Sequence, residues 1–154
     1  ILLVTPEGRE EETVTRLSRI GFDNTVGYLK GSFEAWKKSG REIDTVTTID
    51  ALEFKKAIEE KQVPVFDVRK ESEYLSEHVV DANNTCLSAL NTHLAEFPIE
   101  ETFYVHCAGG YRSVIAASIL KSRGIHNLID VAGGFKAIKE TGANTTDYVC
   151  PSTL

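Results

Sequence analysis

The 154-residue chain reads as an α/β protein with a mainly parallel central sheet and helices on both faces. Three observations carry that reading. Short apolar runs such as Phe103–His106 and Asn127–Val131 alternate with amphipathic helical stretches, and strand–helix–strand order joins parallel strands by right-handed crossovers. Pro64–Val68, with Asp67 its one charged residue, is apolar on both faces, the pattern of a buried parallel strand. Glycine closes the helical runs, as Gly124 does after Ser113–Arg123.

Residues 1–43 begin with the apolar Ile1–Val4, then run through a polar loop, an amphipathic helix, a second apolar strand and a short helix. The same order returns from Phe103 to Gly142, and the two stretches align. Leu17, Gly21 and Asn24 meet Leu120, Gly124 and Asn127; Gly31, Phe33, Ala35, Lys37 and Gly40 meet Gly133, Phe135, Ala137, Lys139 and Gly142. Only the later copy has a front half. It holds a strand at Thr45–Thr48 and a helix opened by Asp50 with Glu53 as a capping box, presenting Leu52, Phe54, Ala57 and Ile58. The Pro64–Val68 strand follows, then short helical stretches at Lys70–Glu77 and Ser88–Glu96; the last helix is Phe135–Glu140. The expected organisation is half a repeat at 1–43, a complete α/β domain at 44–142 and a tail at 143–154.

Composition narrows the possibilities. With 42% hydrophobic and 26% charged residues the chain is neither disordered nor fibrous, and no apolar run approaches a membrane span. The net charge of −6 falls entirely in residues 44–154, since residues 1–43 hold seven basic and seven acidic groups. No basic stripe exists, so nucleic acid and membrane surfaces are not expected partners. Cys86, Cys107 and Cys150 are too sparse for a disulfide framework, and His78, His93 and His126 lack ligand spacing, so no metal or cofactor is expected. A cytoplasmic location is expected. The abrupt start at Ile1 and the lack of any methionine suggest a fragment, whose half-repeat would need a neighbour or a further segment to dock on.

The most informative stretch is His106-Cys107-Ala108-Gly109-Gly110-Tyr111-Arg112-Ser113, between a strand and a helix. Open α/β sheets place ligands at such carboxyl ends. The amides and positive dipole end of the following helix favour thiolate over thiol. Gly109 and Gly110 let the loop curl into an anion nest, and Arg112 adds a cation at the rim. A lone Cys is more often a small buried hydrophobe. Five adjacent residues spelling out an electropositive setting reverse that balance.

With Asp67-Val68-Arg69, Glu73-Tyr74, Glu77-His78, the Cys107-x4-Arg112 loop and Gly133-Gly134-Phe135, residues 44–142 resemble the rhodanese-like sulfurtransferases. The resemblance implies a rhodanese-like fold and transfer of sulfane sulfur from a thiosulfate- or persulfide-type donor to a thiol or cyanide. The carrier would be a Cys107 persulfide, cradled by Ala108, Gly109, Gly110, Tyr111, Arg112 and Ser113, with Arg112 orienting the donor. Related phosphatases and arsenate reductases carry Cys-x5-Arg, one residue more, and some rhodanese-fold domains are non-catalytic binding modules. Two departures stand out: Glu77 and Asp81 occupy positions where the family usually has glycine. A first copy with Thr5 in place of Cys107 and Glu10–Glu12 at its helix start reads as a degenerate repeat. Degenerate followed by intact resembles the end of bacterial metallo-β-lactamase-fold/rhodanese fusion proteins, which implies an upstream domain as a partner.

The remaining candidates have duller readings. Asp67 and Arg69 are expected to pair and brace the loop. His106, adjacent to Cys107 on a strand, is expected on the opposite face. Cys86 reads as a buried filler, Cys150 as an exposed residue and Tyr111 as facing the pocket mouth.

Overall fold

A computed structural model describes residues 1–150, which fall into two units, 1–45 and 46 onward. In the second unit, five parallel strands run in the order β3-β7-β6-β4-β5: β3 Thr48–Ile49, β4 Val65–Asp67, β5 Asn83–Asn84, β6 Phe103–His106 and β7 Leu128–Val131. The helices are α3 Ala51–Glu60, α4 Glu71–Ser76, α5 Tyr111–Ser122 and α6 Gly134–Glu140. Ser88–Glu96, expected as one helical stretch, is two 3₁₀ segments, Leu87–Thr92 and Leu94–Glu96.

Alternation along the strands sorts side chains into two cores. Phe66, Phe103, Val105 and Leu128 pack with Leu90, Phe97, Ala116 and Leu120 on one face, and Cys107 belongs to that cluster. Val65, Tyr104 and Val131 pack with Ala51, Phe54, Phe135 and Ile138 on the other. Helices thus cover both faces.

Local chemistry fixes the element ends. Asp50 accepts from the amides of Leu52 and Glu53, and Glu53 returns the bond to the Asp50 amide, so α3 starts at the expected capping box. The apolar face is rotated from the one expected: Ala51 and Phe54 are buried, whereas Leu52 is 59% exposed. Leu52 lies in the first turn, where the cap sets the phase. The first strand of the unit begins at Thr48 rather than Thr45, because its pairing with β7 covers only Thr48 and Ile49. Asp81 has φ +65°, the left-handed region in which glycine is strain-free and Asp is tolerated.

Residues 143–149 are no loose tail. Thr145 bridges Val79 antiparallel; the Thr146 and Val149 amides donate to the His78 and Ser76 carbonyls, and the Val80 amide to the Asn144 carbonyl. Cys150 is exposed.

In the first unit β1 (Leu2–Leu3) pairs parallel with β2 (Gly27–Tyr28), with α1 (Glu10–Ser18) between them and α2 (Ser32–Lys38) after. Leu3 is the one buried side chain of residues 1–45. An open apolar cleft of about 500 Å³ is lined by Leu2, Val4, Tyr28, Leu29, Phe33 and Trp36, among others. Both α2 and α6 follow a left-handed glycine, Gly31 at φ 76° and Gly133 at φ 74°. A Cβ on either would crowd the Cβ of Ala35 or Ala137, at 2.9 and 2.7 Å.

Candidate active site

Cys107 is the first residue past β6, and its loop ends where Gly110, at φ +99°, starts α5. Only glycine takes that conformation cheaply. The Gly110 amide donates to the Cys107 sulfur at 3.2 Å. Two outward carbonyls brace the curl: the Phe135 amide donates to the Cys107 oxygen at 2.6 Å and the Lys136 amide to the Ala108 oxygen at 3.1 Å. With its carbonyls held by the N-terminus of α6, the loop turns its own amides toward the sulfur. Gly134, at φ +58°, makes the approach possible, since a Cβ there would run into the backbone of Cys107, Ala108 and Gly109.

Burial pushes the Cys107 thiol up, but hydrogen bonds from the Ser113 hydroxyl and amide and from the Gly109 and Gly110 amides outweigh it, so the thiol lies below its ordinary pKa. The residue is only 1% exposed. Tyr111 stands 81% exposed, and Ser113 is buried with its hydroxyl donating to the Gly110 carbonyl at 3.0 Å.

Arg112 does not stand free at the rim. Its guanidinium makes a two-pronged bridge to Glu73 of α4, at 2.6 and 2.9 Å. Arg112 holds the Glu73 carboxyl down to about 2, against the opposing effect of burial. Glu73 is thus a site residue that sequence reasoning did not assign. Its position three residues past Lys70 offers a capping role, and its carboxylate does also accept from the Lys70 amide at 3.2 Å.

Asp67 and Arg69 form a buried bidentate pair, with Arg69 Nη2 to Asp67 Oδ2 at 2.6 Å. Arg69 also donates to the Glu77 carbonyl at 2.8 Å and lies 4.1 Å over the Phe135 ring. The pair ties the end of β4 to the residue that caps the Cys107 carbonyl. Removing one partner of such a pair costs about 3–5 kcal/mol, because the other is left charged and buried.

His106 is fully buried on the opposite face from Cys107, between the rings of Phe54 and Phe135. Burial holds its pKa below the usual histidine value, and its Nε2 has no hydrogen-bond partner. It is no base for the thiol. Cys86 is half-buried rather than buried, its sulfur 3.2 Å from the Ser88 hydroxyl.

The rhodanese-like domain model matches residues 50–141, the span that holds every element of this site. The chain belongs to the rhodanese-like family. It is 31% identical over 101 residues to the uncharacterized protein slr1261 of Synechocystis, a match covering 66% of this chain and 56% of that protein. The chain thus spans little more than half the length of that relative. Among solved structures, the rhodanese-like domain protein from Staphylococcus aureus superposes with a TM-score of 0.58 at 30% identity, covering 60% of this chain and 91% of that one. A protein from Rhodopseudomonas palustris described as a possible tyrosine phosphatase shares the fold at TM-score 0.61 and 18% identity, covering 73% of this chain and 89% of its own. Among the described residues no helix is long and apolar enough to cross a membrane.

Proposed function

We propose that the rhodanese-like unit is a sulfurtransferase carrying sulfane sulfur on Cys107. The observation that carries the reading is the sulfur at the floor of a four-residue loop whose carbonyls are turned away by α6, with the Gly110 amide 3.2 Å from it. The Cys107 thiolate attacks the outer sulfur of a thiosulfate- or persulfide-type donor. An S–S bond forms to Cys107 as the donor's own S–S bond breaks, its electron pair leaving on sulfite or a thiolate. A thiol or cyanide then attacks the outer sulfur of the persulfide, and Cys107 departs as thiolate. The amides of residues 108–113 and the N-terminus of α5 offset the persulfide's charge. Arg112, already neutralised by Glu73, orients a donor anion only if it exchanges one carboxylate oxygen for it. A reducing, cytoplasmic compartment suits a carrier that must start as thiolate.

The phosphatase reading is disfavoured by loop length, because four residues between Cys107 and Arg112 make a smaller nest than tetrahedral oxyanion binders use. Turnover of thiosulfate with cyanide, set beside hydrolysis of an aryl phosphate, tests this: sulfur transfer with negligible hydrolysis is expected, and comparable rates would overturn the assignment. A folded chain inactive in both would favour a non-catalytic binding module.

We read residues 1–45 as the back half of a second, degenerate rhodanese-like repeat. Support comes from the matched Gly31 and Gly133 turns and from register: Leu2, Val4, Leu29, Phe33 and Trp36 stand where Tyr104, His106, Val131, Phe135 and Ile138 stand in the complete unit. In the complete unit that face is covered by α3; in the first it is the open cleft. The arrangement fits a parent of the metallo-β-lactamase-fold/rhodanese type, with an upstream domain as partner.

A further inference from the structure

Arg112 is the only ionic side chain between Ala108 and Val114, the stretch that forms the Cys107 loop and the first turn of α5. One carboxylate takes both of its terminal nitrogens: Nη1 donates to Glu73 Oε2 at 2.6 Å and Nη2 to Glu73 Oε1 at 2.9 Å. Such a fork fills that edge of the guanidinium and cancels its charge. Arg69, which lies over Phe135, is closed in the same way by Asp67, and Lys136 is exposed. Arg112 and Glu73 keep 30% and 35% of their side-chain surface, so the bridge is open to a small anion. The loop amides, such as that of Gly110 at 3.2 Å from the sulfur, are dipoles rather than full charges. Thiosulfate brings two negative charges at neutral pH. It meets a cancelled cation with a carboxylate beside it, and is opposed twice as strongly as a donor bringing one charge.

We propose that Glu73 is a positioning residue that selects sulfur donors by charge. By occupying Arg112 it turns the Cys107 loop from a dianion site into one for donors of a single negative charge, persulfide-type rather than thiosulfate. This rests on Cys107 being the sulfur carrier. Thiosulfate still loads Cys107, but less efficiently than a singly charged donor of the same shape.

The test compares pairs of reagents alike in shape and unlike in charge, on the full chain. Methanethiosulfonate is thiosulfate with one charged oxygen replaced by methyl; the Cys107 thiolate takes its outer sulfur and methanesulfinate leaves with the electron pair. In Glu73→Gln the amide oxygen still accepts from Arg112 and from the Lys70 amide, so Arg112 keeps its place while its charge is uncovered. That variant should raise kcat/KM about tenfold for thiosulfate and about threefold for methanethiosulfonate. In Arg112→Ala no guanidinium remains to uncover, so Glu73→Gln should add much smaller gains there. The second pair needs no sulfur transfer: alkylation of the Cys107 peptide by iodoacetate and by iodoacetamide, followed by mass spectrometry. Both reagents attack the same thiolate, so any change in its amount cancels in their ratio. Glu73→Gln should raise the iodoacetate-to-iodoacetamide ratio about threefold. The same change for both members of either pair, a fall for thiosulfate, or gains as large without Arg112 would each overturn the proposal. A shifted alkylation ratio in a chain that takes sulfur from neither donor would refute the sulfurtransferase reading and leave charge selection at Cys107 standing. Sulfur transfer with unmoved ratios would do the reverse.

Discussion

Replacing Gly134 with Ala asks how firmly α6 holds the Cys107 loop. At φ +58° an L-residue costs about 1–2 kcal/mol. The new Cβ would also stand 2.8 Å from the Ala108 carbonyl carbon and 2.9 Å from the Gly109 nitrogen, backbone atoms that cannot rotate away. Relief requires parting the loop from α6, which strains the bonds from the Phe135 and Lys136 amides to the Cys107 and Ala108 carbonyls. Crowding at roughly 1–3 kcal/mol and hydrogen bonds at about 1 kcal/mol each overlap as costs, so the expected total is about 3–5 kcal/mol. Gly124→Ala is the control, because Gly124 has φ +87° but nothing within 4 Å of an added Cβ. It should lose only the conformational part, about 1–2 kcal/mol. Urea unfolding followed by far-UV circular dichroism measures both, and thiosulfate loading of the folded Gly134→Ala chain should slow by at least about tenfold if the loop has moved. Equal destabilisation of the two variants, with normal loading, would refute the bracing role of α6.

Other perturbations separate the remaining parts. Glu73 titrates near 2 in the fold against an ordinary 4.5, so its contribution is complete above pH 4.5 and disappears as the pH falls toward 2. The pair is partly exposed and worth less than about 1 kcal/mol; acid titration of Glu73→Gln should lack that loss, and superimposable curves would mean the bridge to Arg112 is not formed. His106 is held neutral by burial, so the unfolded chain takes up its proton first and stability should decline as pH drops below 6.5. A His106→Leu chain with the same slope there would contradict this. With only Leu3 buried among residues 1–45, amide hydrogen exchange in α1 and α2 should run far ahead of that in β6 and α5; equal protection would show that the first unit has a core of its own.

Much of the fold was legible because its signals are local. The Asp50–Glu53 capping box and the glycines at 110, 124 and 133 each act within a few residues and each marks an observed element end, and the Pro64–Val68 stretch holds the strand Val65–Asp67. The Cys107 loop was legible for the same reason. What was not legible depends on partners distant in the chain. Glu73 meets Arg112 across 39 residues, and Thr145 and Thr146 close on Val79 and His78. Asp130 gave no periodic signal at all: nothing in Leu128–Val131 tells from sequence that this carboxyl is 2% exposed.

Mass spectrometry of the Cys107 peptide after a single exposure to thiosulfate tests the central claim most directly. Expected is one added sulfur on Cys107, removed by cyanide and absent in Cys107→Ser. A folded wild-type chain in which Cys107 gains no sulfur would contradict it.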